Sequence, residues 1–237
     1  MDIAWIWIPV TILAAAFQVG RNVIQRRLVE ELGTIGATQV RFLYGLPFAI
    51  LLAFGTLWIT GADTPYMNMD FLIFIFCGSS TQIIATAFML AAMRKGSFVV
   101  VTAYTKTEPI QVAIFGAIVL NETFSGISII AIIIASLGVI ILSTSRENKA
   151  IDKKIWSSIL MGVISGGFFA VSAVSFRGAL VSLGDDSLLV RTTWSLMCAL
   201  CIQVALLGIW MSIFQRKLYL KCFKAWQASI WNWSNSN

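Results

Sequence analysis

The chain has 237 residues, 58% of them apolar and only 12% charged, with a formal net charge of +6 and no histidine. A soluble globular domain carries about 25% charged residues, so most of this surface is expected to meet lipid rather than water. The lack of histidine excludes the usual zinc constellations and histidine-based acid–base chemistry, and the basic residues sit in short clusters between apolar runs, not in the single patch that nucleic acid requires.

In chain order, residues 3–20 form a first uncharged apolar run, with Trp5 and Trp7 suited to the headgroup boundary. Asp2 is a poor start for a signal peptide, so a first spanning helix is expected, ended by Arg21, Arg26 and Arg27 and a turn at 30–33. Residues 34–62 give a second span interrupted only by Arg41, and Gly61, Asp63 and Pro65 mark the next turn. The third span is 71–93, stopped by Arg94-Lys95-Gly96; the fourth is 98–120; the fifth, rich in isoleucine, is 127–142. A charged linker, 146–154, is the clearest internal boundary. Beyond it lie a sixth span, 155–176, with Gly162 and Gly166 spaced for close helix contact, and a seventh, 188–214, with Arg191 near its start. These runs approach the roughly 20 apolar residues that cross about 30 Å of hydrocarbon, and backbone satisfaction in lipid favours helix. Cys198 and Cys201 form C-x-x-C inside an apolar run with no second ligand pair, which reads as helix packing.

The fourth span carries the sharpest functional signal. Lys106 and Glu108 lie inside it beside Pro109, and each buried charge costs roughly 2.5–3.5 kcal/mol on insertion scales. Tyr104, Glu108, Gln111 and Phe115 recur at helical steps on one face. Lys106 is about 200° around the helix from Glu108, so the two need partners elsewhere. Pro109 removes a helical donor and predicts a kink. A substrate-facing stripe is favoured over a buried salt-bridged brace, because ionisable residues inside membranes are usually functional. Arg41 and Arg191 divide evenly between lining a cavity and snorkelling to the interface; Tyr44, one turn from Arg41, is a candidate for the same wall. Glu122 reads as a turn residue and Gln82 as packing glue. Trp58, Trp156 and Trp210 read as interfacial anchors.

Residue n placed beside n + 151 pairs Phe17 with Phe168, Val23 with Val174, Arg26 with Arg177 and Leu32-Gly33 with Leu183-Gly184; one deletion later, Arg41 falls on Arg191. Five spans in the first unit would invert the second across the membrane. On the segments GATQVRFLYGLPFAI (36–50), AYTKTEPIQVAIFGAIVLNETFS (103–125) and SLGVIILS (136–143), the chain resembles the drug/metabolite transporter superfamily, specifically its EamA-like domain, normally two copies of five helices. The resemblance is good over 1–145, fair over 155–215 and fails near the C-terminus.

Together these observations predict an all-α membrane protein: a multi-spanning bundle of the five-helix inverted-repeat type, with about seven full spans and a partial eighth. Its units are 1–145, the linker 146–154, and a second unit 155–237. An offset of 150 residues carries Asn237 onto Ala87, so the second unit is expected to be truncated, by a frameshift or premature stop near 228–230, or else completed by a second copy as a homodimer. The resemblance implies a multi-pass protein of the cytoplasmic membrane that moves a small polar metabolite or drug-like substrate as a secondary transporter, with no cofactor, metal or nucleic acid and no enzymatic role. The substrate- or ion-facing set is Lys106, Glu108, Gln111, Tyr104, Arg41 and Tyr44. The competing reading is a non-transporting membrane interaction or regulatory subunit, or an inactive transporter remnant. The basic loops follow the odd-numbered spans, which places the N-terminus outside by the positive-inside rule.

Overall fold

The computed structural model describes residues 7–95, 98–105, 107–120, 125–144, 153–184 and 187–222. Trp5, Lys106, Glu122, most of the charged linker and the polar tail from 223 onward therefore lie outside the described residues. Every element among the described residues is helical, as lipid demands: α1 (Trp7–Thr60), α2 (Met69–Lys95), α3 (Phe98–Thr105), α4 (Glu108–Val119), α5 (Gly126–Thr144), α6 (Lys153–Ser182) and α7 (Leu188–Phe214). A short helical segment, 216–222, follows. Among the described residues, four stretches are long and apolar enough to cross a membrane: Ile8–Thr60, Met69–Arg94, Trp156–Ser182 and Leu188–Phe214.

Two expectations change in detail. The first two spans are joined without a loop. Helix continues through Arg26, Arg27 and Glu30 and breaks only at Gly33, whose φ of 69° is open to glycine and strained for other residues. α1 thus has a first arm, 7–32, and a second arm, 34–60. The expected fourth span is two helices, α3 and α4, separated between Thr105 and Glu108. Pro109 sits in the first turn of α4, where its missing N–H costs nothing. Thr107 bridges the gap: its amide and hydroxyl both donate to the Tyr104 carbonyl, and its Oγ1 accepts from Gln111 Nε2 at 3.1 Å.

The most extensive contact is between α2 and α6, which run antiparallel. Asn68 ties their ends, its Nδ2 donating to the Ser182 carbonyl at 2.7 Å while its Oδ1 accepts from the Phe71 amide. Farther along, Ser172 Oγ donates to Gly78 O and Ser165 Oγ to Ala85 O, both under 3 Å. Two glycine sockets interlock the pair: Phe176 covers Gly78, and Phe74 covers Gly178. Such small-residue sockets replace the hydrophobic drive that is missing between helices in lipid. α3 and α4 pack on the same helix, Gly162 beneath Tyr104 and Gly166 against the Thr105 carbonyl, which puts the G-x-x-x-G pair to use. α7 packs on α1, with Gly45 opposite Leu200. Phe71, Ile75, Ala179, Trp194 and Ala199 form the central core between these helices.

Candidate functional site

Arg21 on the first arm and Arg41 on the second arm of α1 border three adjoining chambers within the bundle. The largest, about 450 Å³, is walled also by Gln82 of α2, Phe176 and Leu180 of α6, and Ser195, Leu196 and Gln203 of α7. The second, about 440 Å³, opens toward Phe17, Ile24, Gln25 and Tyr44. The third, about 210 Å³, joins both arginines to Gln18, Asn22, Gln82, Thr102, Thr105 and Glu108. Five helices thus contribute polar groups to one place, each from within an apolar segment.

The Arg41 guanidinium donates from Nη1 to Thr86 Oγ1 on α2 at 2.9 Å, which turns its head toward α2. Arg21 is near enough for its charge to act on Arg41. Across the floor, Gln203 Nε2 donates to Gln82 Oε1 at 2.6 Å and links α7 to α2. Several buried polar atoms here have no hydrogen-bond partner among the described residues: Asn22 Oδ1, both amide atoms of Gln25, and Ser195 Oγ. A buried polar atom without a partner costs roughly 1–3 kcal/mol, so these atoms call for a polar partner such as water.

The sequence-predicted residues separate. Arg41 borders all three chambers, and Glu108, the first residue of α4, borders the smallest. Tyr44 lines the second, with its hydroxyl given to the Cys222 carbonyl at 2.8 Å. Tyr104 and Gln111 do not border these chambers; they lie on the glycine row of α6, Tyr104 over Gly162 and the Gln111 amide over Gly166 and Gly167. The break after Thr105 interrupts the single-helix stripe expected from their spacing. Lys106 is outside the described residues. Arg191 donates from Nη1 to Gly184 O at 2.8 Å and Leu180 O at 3.3 Å, bracing the corner between α6 and α7.

Arg21, Asn22, Gln203 and Ser195 escaped the sequence reading. For the first two a signal was present: Gln18, Arg21, Asn22 and Gln25 recur at steps of three and four, a polar stripe on one face of an apolar helix. Taking Arg21 as the end of the span hid it.

No curated protein and no solved structure matches the chain. The family described as EamA-like transporters matches residues 5–144, more than half of the sequence, from α1 through the end of α5. Both arms of α1, both arginines and Glu108 fall within that match, and the chain belongs to the EamA-like transporter family, a family of multi-pass membrane proteins.

Proposed function

We propose that the chain is a secondary transporter of small polar metabolites or drug-like solutes in the cytoplasmic membrane, built as two inverted units, 1–145 and 155–237, that alternate access to the chambers around Arg21, Arg41 and Glu108. One observation carries this reading: two arginines and a carboxylate from three separate helical pieces border one small chamber of an apolar bundle, Arg41 and Glu108 half-buried and Arg21 at the end of the exposed face of the first arm. Charges at such depth cost roughly 2.5–3.5 kcal/mol each on insertion scales, and a solute pathway is the use that accounts for them together. Glu108 then serves in coupling or in solute contact, and Arg41 in solute contact. Counterflow of radiolabelled solutes into vesicles holding the purified protein tests this. Glu108→Gln and Arg41→Gln should abolish flux while the protein still inserts; flux that survives Glu108→Gln would make that carboxylate a brace.

A second reading has its own support. Residues 9–21 of the first arm are exposed along their whole length and almost wholly apolar, a surface suited to another membrane protein. Vesicles that carry no solute faster than empty ones, across the panel, would favour this interaction role.

A further inference from the structure

The charge balance around the chambers is lopsided. Arg21 and Arg41 border all three, whereas Glu108 borders only the smallest. Among the described residues, the walls of the two larger chambers therefore carry two positive side chains and no negative one. Arg41 gives its hydrogen bond to a neutral hydroxyl, and the two guanidinium groups are like charges that repel across the chambers they share. An anion placed between them would relieve that repulsion and accept charge-assisted bonds from planar donors matched to carboxylate or phosphate.

The rest of the largest chamber is of a different character. Phe42, Phe176, Leu180, Leu196 and Leu200 line it. Its volume of about 450 Å³ lies within the roughly 300–1,000 Å³ typical of small-molecule sites. A fully hydrated inorganic ion would leave those walls facing water. The hydroxyl of Ser195, buried and without a hydrogen-bond partner among the described residues, offers a further donor at the same chamber.

We propose that these chambers take an organic anion with an apolar body, its carboxylate or similar head held by Arg21 and Arg41 and its hydrocarbon or aromatic part lodged against Phe42, Phe176 and Leu196. As a statement about cargo, this rests on the transporter reading; as a statement about binding, it does not. A zwitterion would have to reach Glu108 with its cationic end, out of the largest chamber. An anionic lipid carries the same chemistry as the proposed ligand, since the second chamber is bordered by the exposed Phe17 and Ile24.

The test uses the full chain in phosphatidylcholine nanodiscs and tritiated 4-phenylbutyrate as probe. Saturable binding is expected, with the matching amide and amine competing at least about tenfold more weakly. Arg21→Gln and Arg41→Gln should each weaken binding by about tenfold or more. Leu196→Trp keeps both arginines but fills the chamber, so it should shift preference from phenylbutyrate toward butyrate. Absence of saturable binding, equal competition by the amide or amine, or unchanged binding in both arginine variants would each overturn the assignment. Adding phosphatidylglycerol separates the two sources of the anion: a soluble ligand keeps its binding, whereas loss of binding as the lipid is added assigns the arginines to a headgroup and overturns the soluble-substrate assignment. Flux tells this inference apart from the transporter reading. Carriage of the amine without binding of the acid sinks the anion and leaves the transporter standing; binding of the acid without carriage of any solute does the reverse.

Discussion

Phe17 and Phe168 hold corresponding places in the proposed repeat, yet Phe17 is 71% exposed while Phe168 stacks on Phe88 with ring centroids 5.9 Å apart. Val23 and Val174 differ in the same sense, at 41% and 4% exposed. The first arm of α1 and α6 are thus helices of like sequence character in opposite surroundings. α2, α3 and α4 wrap α6, and nothing among the described residues does the same for residues 9–21. By the offset of 150 residues the counterpart of α2, which begins at Met69, would begin at Tyr219, and the described residues reach Cys222. What separates the two helices in sequence is their small residues. α6 carries Gly162, Gly166, Gly167 and Gly178, each against a neighbour, whereas a side chain added at Gly20 on the first arm would meet nothing within 4 Å. In lipid, where apolar surface alone drives no association, close-approach residues mark the covered helix better than hydrophobicity does.

The largest effect should come from filling a socket on the covered helix. A Cβ at Gly178 would lie 2.8 Å from the Phe74 ring, so Gly178→Leu should cost about 3 kcal/mol, the upper end for overpacking, while Gly20→Leu leaves the melting temperature in detergent unchanged. Equal melting of the two variants would break the contrast.

The paired arginines come next. Arg191→Gln removes two bonds from a cation to backbone carbonyls and should lower stability by about 2 kcal/mol without changing flux per folded molecule. Arg41→Gln should do the opposite, destabilising by less than about 1 kcal/mol while flux is lost. The two positions align in sequence, and a like response in melting and flux would show that they share one role.

Smaller again is the aromatic pair. Phe168→Ala should cost about 1 kcal/mol through loss of its stacking partner, and Phe17→Ala nothing measurable by the same denaturation. Smallest is Tyr44→Phe, which frees the Cys222 carbonyl and should cost about 0.5–1 kcal/mol, read as loosening of 216–222 by hydrogen exchange. Unchanged exchange there would show that Leu218 against Gly36 and Tyr219 against Gly208 suffice to hold the segment.

The helical class and the long helices could be read from the sequence because apolar run length is a local property, and the break near Pro109 was legible because proline acts on its own turn. The chambers were not legible. Gln82 and Gln203 meet from 121 residues apart, and apolar periodicity does not say which faces of which helices meet. The sequence alone keeps Arg41 level between two readings, because its partner, Thr86, comes from α2, 45 residues away. Tyr104 and Gln111 were joined to Glu108 by a period that assumed an unbroken helix, and the break at Thr107 sends them to α6 instead.

The divided fourth span has a consequence for biogenesis. α3 has 8 residues and α4 has 12, or roughly 12 Å and 18 Å of helix at 1.5 Å per residue, and neither alone crosses about 30 Å of hydrocarbon. Their principal support is α6, which is synthesised later. Ribosome-bound chains that stop after residue 150 should therefore leave a cysteine placed at Thr102 open to a membrane-impermeant thiol reagent, and chains long enough for α6 to have cleared the ribosome should protect it. Protection in both would mean that the segment settles without help. On that expectation, residues 98–119 would wait in the insertion machinery until the helix with the glycine row arrives.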